Sequence, residues 1–191
     1  MNQPHHPDPE LSSLAEAFDN VLHSLSTQNP AQHDLSDPLT SVAELTARLS
    51  STIRDAHTAL ATCAPAARSS HAATATDLCL AIGAAGRAVN ALATAQDAHL
   101  FIDHFADRYG NPDDAAAFAR TRIAAALTKA RDNLTETRGY LRHVNDAGDQ
   151  LQRAACARSS HAPTAGPAGS MSAITPAPTP PGVGPATVKG R

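Results

Sequence analysis

Tryptophan is absent from this 191-residue chain, tyrosine and methionine occur twice each, and phenylalanine four times. So few rings exclude an aromatic-lined ligand pocket and leave little to build a β-sandwich core. Cysteine is scarce too: Cys63, Cys79 and Cys156 are odd in number and form no Cys-x-x-Cys pair, which fits reduced thiols rather than a disulfide framework. Alternating runs of β-branched or aromatic residues are missing, so no strand is expected. The first ten residues have no cationic start followed by an apolar run, and no stretch of 18 uninterrupted apolar residues occurs. No secretory signal and no membrane contact are therefore expected, and the cytoplasm is the expected location.

Alanine fills the space that large residues leave. It supplies 41 residues, 25 of them between Ala59 and Ala130, whereas Leu, Val, Ile and Phe together supply 32. That is about 17% of the chain, below the roughly 20% that marks a thin core. The formal net charge of −3 is small, and alanine is the best helix former, so disorder along the whole chain is excluded. Through Ala157 there are 12 Lys+Arg against 18 Asp+Glu, a net of −6; the remainder carries +3. A mildly acidic body gives no support to nucleic-acid binding, which depends on neutralising phosphates.

Four helices are legible. The first spans about Asp8 to Ser26, with Pro9 in its first turn and Leu11, Leu14, Phe18, Leu22 and Leu25 on one stripe. The second opens at Ser36-Asp37-Pro38, a cap residue followed by a first-turn proline, and carries Val42, Leu45, Leu49, Ile53, Ala56 and Leu60 before Pro65. The third begins between Ser70 and Asp77, carries Leu78, Ile82, Ala85, Val89 and Leu92, and ends at Gly110-Asn111-Pro112. The fourth starts with Asn111 as cap and Asp113 and Asp114 against the positive helix end. Its stripe is Ala119, Ile123, Ala126, Ala130, Leu134, Thr137, Leu141, Val144, Gly148, Leu151 and Ala155.

The link between the last two helices is two to four residues long, which makes them antiparallel neighbours. The expected fold is all-α: an antiparallel bundle of about four helices over residues 8–157, dominated by a long hairpin of 75–109 and 112–157. Residues 1–7 and 158–191 are expected to be disordered; seven of the last 34 residues are Pro, and most of the others are Ala, Gly, Ser or Thr. Alanine on facing stripes lets backbones approach closely but buries little area per residue. Gly83-Ala-Ala-Gly86 lies inside a helix with no preceding strand, so it reads as close packing and not as a phosphate loop.

Three candidate regions follow. Advancing 100° per residue from Leu78, the core stripe of the third helix continues through Gln96, His99, Leu100, Asp103 and Asp107, and Phe101, Ile102, Phe105 and Tyr109 point the other way. His99 and Asp103, at i and i+4, are weak metal candidates, with His104 and Asp107 a second pair. Ion pairing to Arg120 and Arg122 across the hairpin is the simpler role, and the Glu-x-x-His pairs of a di-iron bundle are absent.

Phe101, Phe105, Tyr109 and Phe118 are four of the six aromatics, within 18 residues around the hairpin tip. The simpler expectation is that the first helix, with Phe18, covers them; uncovered, they form an interaction patch for a protein partner or a second copy. At the other pole, Cys63, Cys79 and Cys156 gather with His57, His71, His143 and His161 near by. Zinc there is conceivable, but buried thiols packing against alanine are the simpler reading, since no short Cys spacing exists. The hexapeptide Ala-Arg-Ser-Ser-His-Ala occurs at 67–72 and again at 157–162, and chance recurrence in a biased composition accounts for it as well as duplication does.

Tyr109-Gly-Asn-Pro-Asp113 resembles the Tyr-x-x-x-Asp/Glu signature of helical-hairpin substrates of type VII secretion. The likeness covers five residues, and the Trp-x-Gly turn that accompanies the signature cannot exist here. The resemblance implies that Tyr109 and Asp113 are recognition residues and that the chain is exported. From the residues themselves, a non-enzymatic bundle acting by protein–protein contact or self-association is expected, with no cofactor. A metal-binding bundle is the alternative.

Overall fold

The structure is a computed structural model that describes residues 9–27, 35–105, 108 and 110–160. Helix α1 spans Pro9–Thr27, α2 Ser36–Thr62, α3 Arg68–Phe105 and α4 Pro112–Ser160, with one 3₁₀ turn at Pro65–Ala67 ahead of α3. The described residues contain no strand. Helix α3 packs on α2 and α4, and α1 packs on α2 and α4; the diagonal pairs do not meet. The result is an antiparallel four-helix bundle in which each helix neighbours the next and α1 closes the ring on α4.

The termini of the helices follow local chemistry. At α4, the Asp114 N–H points at Asn111 Oδ1 over 3.5 Å and the Ala115 N–H bonds the Asn111 carbonyl at 3.2 Å, the expected cap. At α2 the expectation fails: Leu35 occupies the cap position and Ser36 is already helical. The Leu35 N–H, which no local side chain satisfies, donates instead to Gln96 Oε1 on α3 at 3.0 Å. At the far end of α1, the Arg131 guanidinium of α4 donates to the Leu25 carbonyl, one of the carbonyls a helix end leaves unsatisfied. Neighbouring helices thus cap each other where the sequence supplies no cap.

The core explains the alanine. On α3, beyond Ala75, the buried positions are Leu78, Ala85 and Leu92; Ala81, Ala88 and Ala95; and Ala84, Ala91 and Ala98. Each set recurs every seven residues. On α4 the same spacing joins Ala116, Ile123, Ala130, Thr137 and Val144, and also Leu127, Leu134 and Leu141. Thr137, a buried hydroxyl on that face, donates from Oγ1 to the Asn133 carbonyl at 2.9 Å, so it is not stranded. From α1 and α2, Leu11, Leu14, Phe18, Leu25, Val42, Leu45 and Leu49 bury against this alanine-rich hairpin. Large side chains on one pair of helices fill against small ones on the other.

Several boundaries and faces differ from expectation. Helix α3 starts at Arg68, because the 3₁₀ turn after Pro65 already sets helical geometry and Ser70 to Asp77 continue it. Helix α4 runs to Ser160, past the expected limit of 157; the rest of the expected tail, 161–191, and the expected disordered segment 1–7 lie outside the described residues. Gly148 and Leu151 are exposed rather than on the core stripe. Ile82 and Val89, expected on the α3 stripe, flank the core half-buried. Gly83 is exposed, and neither it nor Gly86 has a close backbone neighbour, so that pair is not a packing motif. The 41-residue stretch Pro65–Phe105 is, by length and a window mean hydropathy of 1.4, apolar enough to cross a membrane, although 44% of that window is buried in the bundle. Alanine raises hydropathy without interrupting the polar residues that face outward.

Candidate functional site

The register of the long hairpin is set by three cross-helix bonds on one side. Arg87 donates from Nε to Asn133 Oδ1 at 3.0 Å and from Nη2 to Glu136 Oε2 at 2.7 Å. Asp77 Oδ2 and His143 Nδ1 lie 2.8 Å apart. Counting outward from these pairs, Phe101 and Phe118 stand at nearly the same height, as do Asp97 and Arg122. Helix α2 begins level with Gln96, and α1 ends level with Arg131. The last two turns of α3 and the first three of α4 therefore extend past the ends of both shorter helices.

This geometry decides the fate of the aromatic cluster. Phe18 is fully buried in the body of the bundle, but Phe118 is 67% exposed and Phe105 47%. The expected covering by α1 does not occur, because α1 ends before reaching them. Leu100, five residues before Phe105 and on the other side of α3, is 42% exposed. The Arg108 guanidinium sits 5.2 Å above the Phe105 ring, and the His104 ring meets it edge-on at 6.4 Å between centroids. A cation over one ring face leaves the ring in place at the surface without burying it. Phe101 is half-buried, and Ile102 packs against the core, so Ile102 belongs inside, contrary to the 100° extrapolation, while Leu100 turns outward. Tyr109 lies outside the described residues; Asp113 is exposed in the first turn of α4.

The polar candidates come together in pairs only. His99 Nδ1 lies 3.2 Å from Asp103 Oδ2, and His99 Nε2 is buried with no hydrogen-bond partner. The expected ion pairs from this region to Arg120 and Arg122 do not form among the described residues; both arginines are exposed. Asp107 lies outside the described residues. At the opposite pole, Cys79 is exposed, with Sγ 3.9 Å from His57 Nε2. Cys63 is half-buried and its thiol bonds the Leu60 carbonyl at 3.2 Å. The simple picture of three buried thiols therefore fails for Cys79. Cys156 belongs to α4, but its side chain, like His161, is outside the described residues. Among the described residues, no three His, Cys, Asp or Glu groups converge.

A groove of about 300 Å³ lies between α3 and α4 near this pole, lined by Ala73, Asp77, His143, Val144 and Leu151 among others. It is open to solvent, and two of its polar side chains, Asp77 and His143, are already joined to each other. The first copy of the repeated hexapeptide, 67–72, opens α3, and the second reaches Ser160 at the end of α4; its last two residues lie outside the described residues.

The exposed rings of the hairpin tip are the feature that core packing does not explain. No protein-family model, no curated protein and no solved structure matches this chain.

Proposed function

We propose that this chain is a non-enzymatic interaction module whose working surface is the protruding tip of the α3–α4 hairpin. The observation that carries this reading is the outward display of Phe105 and Phe118 in a molecule with only four phenylalanines. Leaving large rings in water forgoes about 1.5–3 kcal/mol each relative to burial. Contiguous apolar surface of this kind marks contact sites, and aromatic anchors dominate binding energy at such sites. The bundle then serves as a rigid mast that holds the tip clear of α1 and α2.

The test places a photo-crosslinking phenylalanine analogue at position 118 of the full chain in its native host. A discrete protein adduct is expected, and Phe105→Ser should suppress it. The same probe at exposed Arg54 on α2 serves as control. Adducts at position 118 no more abundant than at position 54 would sink the reading.

A further inference from the structure

We propose that the occupant of this surface is a second copy of the chain, lying parallel to the first on the outer face of the α3–α4 hairpin about a two-fold axis. The inference rests on the reading of the tip as a protein-contact surface and names its partner.

The exposed apolar side chains are not confined to the tip. On α3, Leu80, Arg87, Thr94 and Phe101 follow one another at seven-residue spacing, the spacing that keeps side chains in line along a packed helix. On α4 the matching line is Arg122, Lys129, Glu136 and His143. The Arg87–Glu136 bridge spans the two lines, so they border the same outer groove. Leu80 is 46% exposed along this face and Tyr140 half-buried, and Phe105 and Phe118 terminate it. Neither α1 nor α2 reaches it: α2 meets α3 through Gln96 and Cys79, and α1 meets α4 through Arg131, Arg138 and Arg142.

Charge selects the partner and its direction. Beside that line on α3 stand Asp97 near the tip and Asp77 at the far pole, with Arg87 on it between them; α4 presents Arg122 and Lys129, then Glu136, then His143. At each height the two helices carry opposite or complementary groups. Lower down, these are already bridged within the chain. At the tip, Asp97 and Arg122 have no ion-pair partner among the described residues. A two-fold axis parallel to the helices sets α3 of one copy against α4 of the other at equal height. It brings Asp97 to the second copy's Arg122, twice, and Phe118 to the second copy's Phe101. An antiparallel arrangement pairs α3 with α3 and loses this match. The face is long enough: α4 has 49 residues, ~73 Å at about 1.5 Å per residue. With the 38 residues of α3, ~57 Å at about 1.5 Å per residue, the face has the length over which a standard interface of roughly 800 Å² per partner can form.

The described helices place Pro9 and Ser160 at the pole opposite the tip.

The experiment uses the full chain in sedimentation velocity across a concentration series. Wild type should dimerise reversibly, and Phe105→Ser/Phe118→Ser should weaken the dimer at least about tenfold. Asp97→Lys alone and Arg122→Glu alone should each weaken it. An equimolar mixture of these two variants should then associate more tightly than either alone, because each heterodimer restores both attractive contacts. Wild type that stays monomeric at every accessible concentration overturns self-pairing while leaving the crosslinking test of the tip to stand by itself. A dimer indifferent to the phenylalanine pair, or a mixture no tighter than its components, also overturns it.

Discussion

The methyl group of alanine sets the closeness of α3 to α4, and single residues there have little room. Ala88 is fully buried, with Ala81, Ala84, Ala85 and Ala95 equally inaccessible around it on the same helix. Ala88→Leu must push the helices apart and is expected to destabilise by about 1–3 kcal/mol, read as a drop in the denaturant midpoint. On the exposed side the opposite holds. Gly139 lies within α4 with nothing within 4 Å of where a Cβ would sit, so Gly139→Ala should add about 0.5–1 kcal/mol by reducing the freedom of the unfolded chain. One helical residue farther on, the Tyr140 hydroxyl donates to Glu136 Oε1 at 3.2 Å. That bond first, then partial desolvation and the Glu136 charge, raise its pKa above the ordinary 10.0. Since the folded state holds the phenol proton more tightly, the associated stability is complete below pH ~10 and is lost as pH rises through the folded-state value. Phenolate absorbance should show one of the two tyrosines titrating late, and Tyr140→Phe should remove that late step; a single unshifted step in the wild type would refute it.

At the scale of the helix, punctuation was easier to read than phase. Pro9, Pro38 and Asn111-Pro112 mark first turns, because proline tolerates those positions and asparagine caps them, and three of the four starts lie where they indicate. The start of α3 was hidden because Pro65 opens a 3₁₀ turn that leads into the α-helix without any capping side chain. The phase of α3 was misread for another reason. Packed bundle helices repeat their interface every seven residues, whereas a straight helix drifts by ~20° per heptad from that repeat. Extrapolating from Leu78 to Asp103 at 100° per residue therefore accumulates roughly 70° of error. That is enough to assign Ile102 to the surface and Leu100 to the core. The large residues gave no warning, since Ile82 and Val89 flank the core half-buried while alanines occupy its centre. The aromatic cluster was legible from composition, but its exposure was not, because that depends on where α1 ends relative to α4. Asn111 offers a test at this scale. Its side chain caps α4 and also bonds the Asp114 carboxylate, so Asn111→Ala should cost about 0.5–2 kcal/mol. The loss should appear as faster amide exchange in the first turn of α4, with the α2–α3 end unchanged.

For the whole molecule, the unequal sharing of contacts implies unequal stability. Helix α3 is gripped on two sides along most of its length, and α4 binds both α3 and α1; α1, with 19 residues, holds on by Leu11, Leu14, Phe18 and Leu25. Besides the Arg131 bond to the Leu25 carbonyl, its polar attachment is Asp19, which accepts from Arg138 at 3.0 Å and Arg142 at 2.9 Å. These groups are about a third to a half exposed, so the clamp contributes no more than about 1 kcal/mol and weakens in salt. Segments with fewer buried contacts open at lower free energy than the global transition. Native-state hydrogen exchange should therefore find α1 amides opening first and those around Ala81 to Leu92 last. Phe18→Ala, which empties a fully buried site, is expected to cost about 3–5 kcal/mol. Much of that loss should fall on the opening of α1, leaving the α3–α4 hairpin protected. Since the tip lies beyond the reach of α1, the same variant should leave the tip crosslink at position 118 in place. Uniform loss of protection across all four helices would instead show a single cooperative unit, in which the tip depends on every helix of the bundle.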